Sequence, residues 1–263
     1  MPPSRRRPWP LVAASVVVPL GLIAGVGFAV TAQAATTDLP TTSGLPPSLA
    51  SWQENLNPTG PFEQPLVVTP APGAGLAIYS SAEALVPDLF LPAVNELGSP
   101  LVLLAVERDA DRFQVLLPTR PNSSTGWVQV SDVTTSVPVY RAELSLAARE
   151  LRVIRNDDDA VVLTSPIGIG KPSTPTPTGE FFVRDHFPTG SNNHPYGPFA
   201  FGLSGHSDVL MQFGTGDGRI AIHGTNQPQS IGADMSTGCP RVSNDVVLAL
   251  IDYLPLGTPV TIS

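Results

Sequence analysis

The chain has one cysteine in 263 residues, which excludes an internal disulfide because that bond needs two. Charged residues make up only 14% of the sequence and the formal net charge is −8, so there is no basis for a broad basic face and nucleic acid is excluded as a partner. Histidines are few. His186, His194 and His206 precede His223, and their spacing with the single cysteine fits no common zinc-ligand pattern, so neither a metal nor a cofactor is expected. Proline is plentiful, at 30 residues. With so little charge, that abundance points to a mainly β, turn-rich chain with stiff linkers and argues against a helical bundle. The length allows one large domain or two modest ones, with ample apolar content for a core.

Residues 1–34 read as a targeting segment outside the fold. Arg5-Arg6-Arg7 gives a positive start, Leu11 to Val30 carries no charge, and Ala32-Gln33-Ala34 places small residues where a signal peptidase inspects them. Cleavage after Ala34 is expected, placing the protein outside the cytoplasmic membrane. The competing reading is an uncleaved anchor, since roughly 20 uncharged residues can span a bilayer. That is the one membrane contact foreseen. No cysteine lies near the end of this segment, which excludes a lipid-anchored lipoprotein. Residues 35–72 are rich in Pro, Thr, Ser and Gly and read as a semi-extended spacer, with Trp52 and Phe62 as exceptions able to dock on a neighbouring domain.

From residue 73 to 137, short β-rich runs alternate with turn signals: Leu76 to Tyr79, Leu101 to Val106, Phe113 to Leu117 and Trp127 to Val130. Glu107 to Arg112 and Arg120 to Gly126 read as polar turns. Gly126-Trp127-Val128 after a Phe113-Gln114-Val115-Leu116 strand resembles the end of a bacterial SH3-like domain. The resemblance implies a small barrel with Trp127 plugging its core. No residue there has a catalytic partner, so this region is expected to serve as a spacer or wall-binding module.

Val137-Pro138 marks the next boundary, and residues 143–263 form a second domain. Leu151 to Arg155 and Ala160 to Thr164 flank an Asn156-Asp157-Asp158-Asp159 turn and read as a hairpin. Further strand-like runs fall at Ile167–Ile169, Gly179–Arg184, Val209–Phe213 and Arg219–His223. One helix is expected from about Asp245 to Leu254, capped by Ser243 or Asn244 and stopped by Pro255 and Gly257. Pro259 to Ile262 returns as a last strand. The Gly/Pro/Asn-rich stretch ahead of His223 reads as a lid over a cleft, with Tyr196, Phe199 and Phe201 supplying contacts.

Candidate chemistry converges on Cys239, sixteen positions after His223. An exported protein keeps an unpaired thiol at the risk of oxidation, which makes a working thiol the better explanation, and a histidine is the base such a thiol needs. The alternative is a buried cysteine acting as a small apolar side chain. Gly238 lets backbone N–H groups approach a substrate oxygen. Arg241 brings positive charge that favours thiolate or holds a carboxylate.

The run from His223 to Arg241, HGTNQPQSIGADMSTGCPR, resembles the signature of the L,D-transpeptidase catalytic domain, and GIGKPSTPTPTGEF (Gly168 to Phe181) resembles that family's upstream Thr-Pro-x-Gly stretch. The resemblance implies a mainly β sandwich or barrel with one C-terminal helix. It implies Cys239 as nucleophile and His223 as general base, with the Gly224 carbonyl orienting the imidazole. Backbone around the Gly238–Cys239 step would form the oxyanion hole, and Ser236 and Arg241 match the remaining motif positions. The implied partners are peptidoglycan stem peptides, a tetrapeptide as donor and a diamino-acid side chain as acceptor, with carbapenem-type compounds as inhibitors. Water or a protein amine as acceptor, and a non-catalytic wall-binding role, stay open as alternatives. Thr237 stands where many members have histidine or lysine, and Pro240 where an aliphatic residue is usual.

Overall fold

The computed structural model describes residues 60–214 and 216–263. The targeting segment, most of the spacer and Trp52 lie outside the described residues. The chain is mainly β, and the strands group into two principal sheets.

The first sheet is built by β1 (Gly60–Pro70), β4 (Leu103–Asp109), β5 (Arg112–Leu116), β6 (Thr125–Gln129) and β7 (Val133–Ser136), in the order β6-β5-β4-β1-β7. All its neighbours are antiparallel. A small hairpin of β2 (Leu76–Ile78) and β3 (Leu89–Leu91) joins it through a bridge between Tyr79 and Trp127. The second sheet is built by β8 (Tyr140–Ser145), β9 (Glu150–Arg155), β10 (Val161–Pro166), β12 (Gly179–Pro188), β13 (Phe199–His206), β14 (Arg219–His223) and β16 (Pro259–Ile262). Its order is β10-β9-β8-β16-β12-β13-β14, antiparallel throughout except where β16 runs parallel to β8. Two short parallel strands, β11 (Ile169–Gly170) and β15 (Asp234–Ser236), form a separate ladder. The helix α1 (Asn244–Ala249) starts at Ser243, whose side chain accepts from the Val246 N–H, and tightens into a 3-10 turn at Leu250–Asp252. Its buried Val247, with Leu250 and Leu254, joins the core of the second sheet.

Several elements differ from the sequence reading, each for a local reason. Gly60–Pro70 belongs to the sheet and is no part of a spacer, because the Leu66-Val67-Val68 run is buried against β4. Phe62 docks as foreseen, its ring 6.0 Å from that of Phe113. The β4–β5 turn shrinks to two residues, Ala110 and Asp111, with Ala110 at φ 48°. Trp127 is half-buried and fills no core. Its neighbours Gly126 and Val128 take the inward face of β6, so strand alternation turns the indole the other way. Val209–Phe213 is loop, whereas Phe199–His206, read as lid, is a central strand with Phe201 fully buried. The aspartate turn after β9 is tied by Asp157 and Asp158 to Arg155 and by Asp159 to Arg141.

β12 joins the two halves. Phe181 and Phe182 point to opposite faces of one strand, as adjacent strand residues must. Phe181 enters the core of the second sheet, while Phe182 enters the core formed by β1, β4, β5 and β6. Leu256 packs against both cores, and a Cβ on Gly257 would lie 2.6 Å from the Val67 side chain. The seam is therefore hydrophobic packing and not a flexible tether. Phe182→Ala should cost about 3–5 kcal/mol, the usual scale for emptying a buried phenylalanine site. Urea unfolding should show one transition for residues 60–263. Two separated transitions in the wild-type protein would contradict a shared core.

Candidate active site

His223 ends β14 and is almost fully buried. Beyond it, the Thr225 N–H donates to Asn244 Oδ1 (2.8 Å) at the start of α1. The chain then runs through a 3-10 turn at Pro228–Ser230 and along β15 before doubling back to the end of β14. There the His223 N–H donates to the Pro240 carbonyl (3.2 Å) and the Val242 N–H donates to the His223 carbonyl (2.9 Å). On its other side Arg241 exchanges two backbone hydrogen bonds with Gly168, both 2.8 Å. The segment following Cys239 is thus gripped between Gly168 and His223, and both Cys239 and His223 line one pocket. A Cβ on Gly168 would lie 2.1 Å from the Ser230 carbonyl oxygen, so the grip requires glycine there.

The loop just before the cysteine is pinned from beneath by the Thr-Pro repeat. Thr176 Oγ1 donates to the Gly238 carbonyl (2.7 Å) and accepts from the Gly170 N–H (2.9 Å). Thr174 Oγ1 donates to the Ser236 carbonyl (3.3 Å), and the Lys171 N–H reaches the same oxygen (3.0 Å). Ser236 is buried, and its Oγ accepts from the Gly238 N–H (3.1 Å). Gly238 sits at φ +123°, a conformation open to glycine and strained for other residues. These buried threonines were visible in the sequence only as a motif, because their acceptors lie 62 residues further on.

His223 Nδ1 is hydrogen-bonded to the Gly224 carbonyl. A carbonyl only accepts, so Nδ1 carries the proton and Nε2 is left as an acceptor. Burial pushes the imidazole pKa down to about 4, the Gly224 carbonyl opposes this, and the Arg241 charge lowers it further. The Cys239 thiol is pushed above its ordinary value, chiefly by burial, with Ala221 backbone and Arg241 acting the other way. Near neutral pH the pocket accordingly holds a thiol and a neutral imidazole. Arg241 Nη1 donates to Gln227 Oε1 (3.1 Å), while its buried Nε has no hydrogen-bond partner among the described residues. Gln227, an unremarked loop residue in the sequence, orients the guanidinium.

Of the three aromatic residues expected as lid contacts, Tyr196 lines the pocket with Cys239, whereas Phe199 and Phe201 lie in the core. The Tyr196 ring lies 4.6 Å from that of His223, and its hydroxyl pKa is raised first by burial and then by the charge Cys239 carries when ionised. The Tyr196 N–H donates to His194 Nδ1 (3.1 Å). His186 Nε2 bonds the Leu254 carbonyl (2.8 Å), and His206 pairs with Asp217 (2.9 Å). The other histidines therefore have separate partners away from the thiol.

A cysteine and a histidine brought together on a glycine-dependent loop at a sheet edge make up the kind of site that acyl-transfer chemistry uses. Residues 139–262 match the YkuD family, the L,D-transpeptidase catalytic domain. The YkuD protein of Bacillus licheniformis is 40% identical over 175 residues, covering 63% of this chain and 94% of that protein. The YkuD protein of Bacillus subtilis is 38% identical over 125 residues, covering 47% of this chain and 66% of its own length. Among solved structures, an L,D-transpeptidase from Mycobacterium smegmatis aligns over 74% of this chain and 96% of its own at 16% identity, with a TM-score of 0.40. The chain belongs to the L,D-transpeptidase catalytic-domain family.

Proposed function

We propose that this protein is an exported cysteine L,D-transpeptidase that forms 3→3 cross-links in peptidoglycan. One observation carries the mechanism: the His223 tautomer, fixed by Gly224, leaves Nε2 as the acceptor in the pocket that also holds Cys239. Sγ attacks the carbonyl between the third stem residue and the terminal D-alanine as its proton passes to Nε2. The Gly238 N–H is occupied by Ser236, so in this reading the Cys239 N–H is the backbone donor to the oxyanion. The C–N bond breaks, the proton on Nε2 goes to the departing D-alanine amine, and a thioester joins the donor stem to the enzyme. A side-chain amine of a second stem then attacks the thioester. Its proton passes through Nε2 to the thiolate that leaves, restoring thiol and imidazole. Two acyl transfers replace one difficult amide exchange.

Arg241, with an unpaired buried Nε beside this pocket, is suited to a carbonyl or carboxylate of the peptide. The five-stranded sheet of residues 60–136 supports the SH3-like assignment of that region. Export rests on the composition of residues 1–34. Purified protein incubated with a disaccharide-tetrapeptide should release D-alanine and yield a dimer joined between third residues, as read by tandem mass spectrometry. Tripeptide without dimer would make the acceptor water and the enzyme a carboxypeptidase. Unchanged substrate would refute the transpeptidase reading.

A further inference from the structure

The cleft beside Cys239 has a rim supplied by the connection from β13 to β14. Ser207, Leu210, Phe213 and Gly218 of that loop line the pocket containing Cys239 and His223. Phe213, Gly216, Asp217 and Gly218 also line an adjoining groove of about 260 Å³ that shares Cys239 as a lining residue. The loop has few backbone hydrogen bonds of its own. Its neck is closed by the Ser207 N–H donating to Gly218 (2.8 Å), and its tip by reciprocal Phe213–Gly216 bonds (3.0 Å). Val209, Met211 and Phe213 are exposed. A segment so thinly bonded takes its shape from whatever holds it.

The N-terminal sheet holds it. Arg120, on the connection from β5 to β6, donates from Nη1 to the Ser207 carbonyl (2.6 Å) and from Nη2 to those of Leu210 (2.9 Å) and Asp217 (3.0 Å). One planar guanidinium thus ties the neck, middle and return of the loop together. Gly218 makes room for it: a Cβ there would lie 2.9 Å from Arg120 Nη2 and 2.0 Å from the Leu210 carbonyl oxygen. Two residues further on, Asn122 Nδ2 donates to the His206 carbonyl (2.8 Å) and to Asp208 Oδ1 (3.2 Å), while its Oδ1 accepts from the His206 N–H (2.9 Å).

A second contact from the same sheet meets the groove. Glu96 forms a two-pronged ion pair with Arg184 (2.6 and 2.9 Å), and Asn95 bonds the buried carboxylate of Asp185. Arg184 holds the Glu96 carboxyl down to about 2, so this tie persists across the physiological range. Between them they deliver Leu97, more than half exposed, to the wall of the groove that contains Cys239.

We propose that the N-terminal sheet is a working wall of the substrate cleft, with Arg120 and Asn122 as positioning residues for the Ser207–Gly218 loop and Leu97 as a contact for the donor stem peptide. This rests on the transpeptidase reading and departs from the expectation of an independent spacer or wall-binding module.

The test uses the full chain and three readouts: hydrogen exchange, alkylation of the single cysteine by iodoacetamide, and steady-state kinetics on the disaccharide-tetrapeptide. Arg120→Ala should speed exchange in residues 207–218 while the central strands β12 and β13 stay protected. KM for the tetrapeptide should rise about 10- to 100-fold with kcat far less affected, the pattern left when binding shared by ground and transition state is lost. Alkylation by iodoacetamide, too small to need the wall, should be unchanged. Arg120→Lys should restore only part of the loss, since an ammonium is a point charge and cannot span three carbonyls as the guanidinium fork does. Leu97→Ser, at an exposed position where folding is not at risk, should also raise KM and leave alkylation alone.

An unaltered KM in Arg120→Ala or in Leu97→Ser would overturn the proposal. So would faster exchange over the whole second sheet together with altered alkylation, which would mark general damage. If Arg120→Ala does not fold, Asn122→Ala and Leu97→Ser carry the same readouts. If the wild-type protein releases no D-alanine, the transpeptidase reading is what fails, and exchange within the loop then decides the clamp by itself.

Discussion

Cys239→Ala should abolish covalent capture of a carbapenem. The wild-type protein should show one adduct by intact mass, and the variant none. The thiol is the only cysteine side chain in the sequence, and it lines a pocket with a histidine whose Nε2 is held as an acceptor. Among the hydroxyls near that pocket, the Tyr196 hydroxyl pKa is raised by burial and Ser236 Oγ accepts from the Gly238 N–H, so no fallback acylation is expected. The substitution should leave the fold intact, because the loop is held by Thr174, Thr176 and Gly168 and not by the thiol. An adduct persisting in the folded variant would remove Cys239 from the mechanism.

The second large effect concerns His223. His223→Asn should slow acylation by about 10²–10⁴-fold, the usual scale for losing a positioned base. The pH dependence gives a finer result. A histidine with a pKa of about 4 is neutral and able to accept a proton throughout the physiological range. Acylation of the wild-type protein should therefore vary little from neutrality down to about pH 5 and fall as pH drops through about 4. A profile breaking near 6.5, the ordinary imidazole value, would show that the native ring is not as desolvated as its burial requires. Stability follows the same sign. The unfolded chain takes up a proton near pH 6.5 that the folded imidazole resists, so this histidine's contribution is complete above that pH and is lost as pH falls towards 4.

Much of the second sheet was legible in the sequence because its signals are local. The β9–β10 hairpin, β14, the Ser243-capped helix and the last strand each announce themselves through turn residues or periodicity within about ten positions. Cys239, His223 and the Gly224 carbonyl were singled out through the motif; Cys239 and His223 line one pocket, and His223 Nδ1 is hydrogen-bonded to the Gly224 carbonyl. Less legible were features whose partners are distant in sequence. Gly60–Pro70 looks like linker by composition, and only pairing with β4 and β7 makes it a strand. Phe199 and Phe201 sit in a Gly/Pro/Asn-rich neighbourhood that masks a buried strand. Phe182 gives no sign that it belongs to the other half's core, since a buried phenylalanine reads the same whichever sheet receives it. Arg120 reads as a turn residue beside Pro121, and its three acceptors lie about ninety positions away.

Acyl transfer through Cys239 is decided by intact mass of the protein quenched during turnover of the disaccharide-tetrapeptide, followed by peptide mapping. A species heavier by the donor less D-alanine is expected, located on the peptide containing Cys239, labile to hydroxylamine as a thioester is, and discharged when an acceptor amine is added. D-Alanine release without any such species, or an acyl group mapped to another residue, would contradict that transfer.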